Sequence, residues 1–84
     1  MITYKIYPLP GICDRTLTGS LQASDVRTLG SLLRAIADRD GVDFPAGAPF
    51  LALLDGKSLD LSENRDMAVG DGSELFILPA IMGG

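Results

Sequence analysis

Eighty-four residues, 46% apolar and with a net charge of −4, describe one small domain near the size at which a hydrophobic core alone is just sufficient. That apolar content excludes disorder, and the seven scattered Lys and Arg exclude the clustered basic surface that nucleic acid requires. The longest apolar runs fall far short of a membrane span, and a single cysteine cannot close an intrachain disulfide, so a reducing cytoplasm is the expected setting.

The chain opens on MITYKIYPLPG, which has neither the basic start nor the apolar segment of a secretory signal. Ile2, Tyr4 and Ile6 alternate with Thr3, Lys5 and Tyr7, the period-two pattern of a strand. Pro8-Leu9-Pro10-Gly11 ends it, because proline donates nothing to a ladder and glycine permits the turn. A second strand is predicted over 15–22, with Leu17 and Leu21 on one face, so the two form a hairpin with a fairly long connection.

Leu29, Leu32, Leu33, Ile36 and Ala37 follow the spacing of one helical stripe. Thr28 is the expected N-cap, Gly41 the expected stop, and Gly30 weakens the first turn. Arg34, Asp38 and Arg39 fall on the solvated face. A loop rich in Pro, Gly and Ala over 44–49 leads to a strand at 50–54. Asp55-Gly56 is a two-residue hairpin signal, and 57–61 returns as a short strand. A polar connection over 62–72 precedes the last strand, 74–78. Leu75 and Ile77 occupy one of its faces, Phe76 and Leu78 the other, so it belongs in the middle of a sheet.

The order β-β-α-β-β-β with a central last strand is an α+β layer arrangement, that of the ubiquitin-like β-grasp fold. It predicts a mixed sheet of four to five strands with one main helix on one face. The domain is expected to span 1–79, with residues 80–84 as a flexible tail.

Little in the chain points to catalysis or metal binding. Histidine is absent, which removes the commonest general base and nitrogen ligand. Cys13 alone builds no zinc or iron–sulfur site, and no activator for its thiol is identifiable. Gly56-Lys57-Ser58 resembles the end of a phosphate loop, but Leu51 stands where the first glycine belongs. Gly70-Asp71-Gly72 opens a dinucleotide fingerprint that Leu75 breaks. Both are read as turns, no metal site is predicted, and the chain is expected not to be an enzyme.

The run Val69-Gly70-Asp71-Gly72-Ser73-Glu74-Leu75-Phe76-Ile77-Leu78-Pro79-Ala80-Ile81-Met82-Gly83-Gly84 resembles the C-terminus of the sulfur-carrier proteins of the MoaD/ThiS type, nearest the small subunit of molybdopterin synthase. Ser73, Leu78 and Ala80 depart from that family's usual acid, aromatic and second proline. The resemblance implies that an E1-like adenylyltransferase activates the carboxylate of Gly84 with ATP. A sulfurtransferase or cysteine desulfurase would then convert it to a thiocarboxylate, and a sulfur-accepting synthase subunit would receive the sulfur. The carrier itself would hold no cofactor, and neither nucleic acid nor membrane would be a partner.

The residues themselves fit such a role. A carboxylate is a poor acyl donor until activated, and no ATP site is visible, so a partner must supply nucleotide and catalysis. Gly83 and Gly84 lack Cβ and can thread a narrow channel, and residues 80–84 span at most about 17 Å when extended. Phe76 and Leu78, on the face away from the helix, are the expected partner-docking residues. Two other readings stay open: a ubiquitin-like modifier joined to lysines through Gly84, and a passive β-grasp interaction module.

Overall fold

The computed structural model describes residues 1–42, 44, 50–61 and 63–79. Its elements run β1 (Ile2–Ile6), β2 (Leu17–Leu21), α1 (Leu29–Asp40), β3 (Phe50–Leu54), β4 (Lys57–Leu59) and β5 (Glu74–Pro79). The five strands pair in the order β2-β1-β5-β3-β4. β5 lies parallel to β1 and antiparallel to β3, while β1–β2 and β3–β4 are antiparallel pairs. This is a mixed sheet with one helix on one face, a β-grasp-like arrangement, and β5 occupies its centre as its two apolar faces require.

Alternation decides which side of each strand is covered. Ile2, Tyr4 and Ile6 of β1, Leu75 and Ile77 of β5, and Ala52 and Leu54 of β3 point toward α1, whose Leu29, Leu32, Leu33 and Ile36 complete the core. Leu75 and Ile77 are fully buried, so truncating either to alanine costs about 2–5 kcal/mol.

The first turn of α1 holds together despite Gly30. Thr28 and Ser31 form a reciprocal capping box: Ser31 N–H donates to Thr28 Oγ1 and Thr28 N–H to Ser31 Oγ. The other early donors are met by the connection before β5, with Leu29 N–H bonded to Met67 O and Gly30 N–H to Arg65 O, both at 2.9 Å. At the far end Gly41 adopts φ 70° and its N–H bonds Ala37 O, the expected left-handed stop.

The predicted strand limits shift for reasons of pairing. β2 begins at Leu17 rather than 15 because Leu17 lies opposite Ile6, where β1 ends. β4 stops at Leu59, opposite Ala52, and Leu61 instead enters the core. β5 runs one residue further than expected, to Pro79, which faces Phe50. Asp55 (φ 52°) and Gly56 (φ 83°) both take the positive φ of a tight hairpin turn. Asp55 also ties this hairpin to β5, its N–H bonding Glu74 O and its Oδ1 accepting from Glu74 N–H, each at 2.9 Å. Of the predicted loop at 44–49 only Phe44 is among the described residues, and the predicted tail at 80–84 lies outside them. Among the described residues no helix is long and apolar enough to cross a membrane.

Candidate functional site

The side of the sheet away from α1 carries the predicted docking pair. Phe76 and Leu78 are both half-buried there, on the central strand. Registration extends them into a strip, since Phe76 lies opposite Leu53 and Leu78 opposite Leu51 on β3. Four apolar side chains thus sit side by side on two adjacent strands, and Leu51 is 42% exposed, unusual for a large apolar residue on a sheet.

The rim is polar. On the β1 side Lys5 lies beside Phe76, and its Nζ sits 5.0 Å from the centroid of the Tyr7 ring. On the other side Ser58 faces Leu53. Glu74 and Thr3 close the end where β5 begins. An apolar centre inside a polar margin is the composition of a protein-docking patch.

The patch has a direction. Because β1 and β5 are parallel they finish at the same end of the sheet, where Tyr7 N–H donates to Ile77 O at 2.9 Å. Leu78, Leu51 and Tyr7 are at that end, so Pro79, the last described residue, lies beside the apolar strip. Gly84, the predicted attachment residue, and Gly83, the predicted access residue, lie outside the described residues.

Leu51, Leu53, Lys5 and Tyr7 were not singled out by sequence. Their signal lies in pairing: once β5 is central, its two neighbours must supply the rest of its open face, and alternation in Phe50–Leu54 then names Leu51 and Leu53.

One titratable group that burial perturbs lies on the helix-covered face. Burial pushes the Tyr4 phenol up to about 12, reinforced by its hydrogen bond to Asp40 and by that carboxylate's charge, with Arg39 acting in the opposite sense. A phenol held protonated in this way serves as a donor. Cys13 is half-buried in the β1–β2 connection, its Sγ 3.8 Å from Tyr7 O. Among the described residues no group of His, Cys, Asp and Glu is gathered as metal ligands.

No known protein family matches the chain, and neither does any curated protein or solved structure.

Proposed function

We propose that the protein is a sulfur carrier whose working group is the carboxylate of Gly84. The observation that carries this reading is the position of β5. The strand that leads into Gly83-Gly84 is hydrogen-bonded on both sides, between β1 and β3. A central strand is a rigid base for a short arm, and the Phe76, Leu78, Leu51 and Leu53 strip beside its exit is suited to seating an enzyme over that arm.

The chemistry divides between partners. A Gly84 carboxylate oxygen attacks the α-phosphorus of ATP on an E1-like adenylyltransferase, and pyrophosphate leaves. The terminal sulfur of a persulfide carried by a sulfurtransferase or cysteine desulfurase then attacks the acyl carbon, and the C–O bond to AMP breaks. A thiol cleaves the S–S bond of the resulting acyl disulfide, is itself oxidised to a disulfide, and leaves the thiocarboxylate. A synthase subunit takes that sulfur in cofactor biosynthesis, with molybdopterin preferred and the thiazole of thiamine next. The carrier contributes the acyl group and the docking face, not the catalytic groups.

ATP–pyrophosphate exchange against a panel of E1-like enzymes, each active on its own carrier, tests the first step. Exchange that depends on this protein and is lost on deleting Gly83 and Gly84 is expected. Silence across the panel, or exchange undiminished by the deletion, would contradict the proposal and favour a passive module. Lysine-linked products in place of a thiocarboxylate would identify a modifier instead.

A further inference from the structure

α1 also borders a cleft, separate from the open sheet face, of about 170 Å³ lined by Gly30, Leu33, Arg34, Ala37, Phe44 and Arg65. The helix supplies its floor through two rows one turn apart, Gly30 with Arg34 and Leu33 with Ala37. The connection before β5 supplies one wall. It reaches the helix because residue 30 has no side chain: Gly30 N–H bonds Arg65 O at 2.9 Å, and a Cβ there would lie 3.2 Å from the same oxygen. That contact brings Arg65 to the cleft that Arg34 enters from the next turn. Phe44 completes the lining, its ring edge-on to Phe50 with centroids 6.0 Å apart.

Both arginines are exposed, and neither guanidinium has a hydrogen bond or ion pair among the described residues. Two guanidinium groups without a partner among the described residues therefore share a cleft whose other lining side chains are apolar, in a protein of net charge −4. A guanidinium presents a planar fork that matches an oxyanion with two parallel hydrogen bonds. Leu33, Ala37 and Phe44 present no partner for a polar body. The volume is comparable to the roughly 150 Å³ cavity that accepts a benzene ring in another protein. Asp38, Glu63 and Asp66 lie near the two arginines in sequence without lining the cleft, and their charge favours a monoanion over a dianion.

We infer that this cleft binds a small carboxylate carried on one aromatic ring or a branched aliphatic body. The carboxylate sits between Arg34 and Arg65, and the apolar body rests on Leu33, Ala37 and Phe44. Such a group occurs both as a free acid and as the C-terminal residue of a peptide.

The test is a titration of the ¹⁵N-labelled full chain followed by amide chemical shifts. The probes are phenylacetate, N-acetylphenylalanine, neutral phenylacetamide and phenyl phosphate. Saturable shifts at Gly30, Arg34 and Ala37 are expected with at least one of the two acids, at least tenfold weaker with phenylacetamide. The Arg34→Gln/Arg65→Gln double variant, changed only at exposed positions, is expected to lose at least tenfold in affinity. Tighter binding of N-acetylphenylalanine would mark a chain terminus as the ligand, and tighter binding of phenylacetate a free acid. The inference is overturned if neither acid saturates, if phenylacetamide binds equally, if the double variant binds as before, or if phenyl phosphate binds more tightly than both acids.

Discussion

The phenolic hydroxyl of Tyr4 donates a 2.7 Å hydrogen bond to Oδ2 of Asp40, tying the middle of β1 to the last residue of α1. The ring is buried on the helix-covered face while Asp40 is half-exposed, so the bond anchors the C-terminal end of the helix to the sheet. Replacing Tyr4 with Phe removes this bond but leaves Asp40 access to water. The expected loss is about 1 kcal/mol, read from the urea midpoint at neutral pH.

The same contact predicts an alkaline limit. The folded phenol titrates at about 12, above its ordinary value of 10.0, so the fold favours the protonated form. Its stabilisation is complete below pH 10 and is lost as pH rises toward 12. The stability difference between the wild type and Tyr4→Phe should therefore be constant up to about pH 10 and shrink from there toward pH 12. A difference that stays constant through this window would show that Tyr4 titrates as it does in the unfolded chain.

Gly19 is required by the same ring. It faces Tyr4 across the β1–β2 pair, and a Cβ there would come within 2.5 Å of the phenolic oxygen. Gly19→Ala is expected to destabilise by about 1–3 kcal/mol, although alanine ordinarily suits a strand better than glycine. In a Tyr4→Leu background the penalty should largely vanish. A double-mutant cycle of denaturation midpoints measures that coupling.

Gly30 presents a balance of two terms. Alanine gains up to about 1 kcal/mol of helix propensity. Its Cβ would also press on Arg65 O and strain the hydrogen bond that this carbonyl accepts from Gly30 N–H. The backbone term is expected to cancel or exceed the gain, leaving Gly30→Ala between neutral and about 1 kcal/mol less stable. A gain approaching the full propensity value would show that the segment around Arg65 yields freely.

These two glycines mark where sequence reading stops. Wherever a residue's role depends on near neighbours, the pattern announces it. The α1 stripe with Thr28 and Gly41 at its ends, the Asp55-Gly56 turn, and the double-sided apolar β5 were all legible and are found as expected. Gly30 reads as a weak point in a helix only until Arg65 is brought against it, and nothing in the pattern of 15–22 singles out Gly19, which Tyr4 requires once the strands pair. The 62–72 connection reads as a polar linker interrupted by Met67 and Val69, and its burial of Val69 fits that interruption, but its capping of α1 through the carbonyls of Arg65 and Met67 is not legible. Half of the apolar strip was legible in Phe76 and Leu78. The other half, Leu51 and Leu53, depends on which strand lies beside β5, a long-range property.

Leu51 separates docking from folding better than Phe76 or Leu78, because it is the most exposed member of the strip. Leu51→Ser is expected to change stability by less than about 1 kcal/mol. If the strip seats the activating enzyme, the same change should lower the apparent affinity for that enzyme at least tenfold. An unchanged affinity would place the docking surface elsewhere.

The central claim is that Gly84 carries sulfur. It is tested most directly by incubating the protein with an E1-like enzyme that activates it, ATP and a sulfur donor, then fragmenting the C-terminus in a mass spectrometer. The account predicts one oxygen replaced by sulfur on Gly84, a group that a thiol reagent alkylates, with Cys13 as the internal control. Fragment position distinguishes this change from oxidation at Met82, which has nearly the same mass. An adenylated Gly84 that never gains sulfur, with the donor active on another carrier, would contradict the account and direct the search to lysine-linked conjugates.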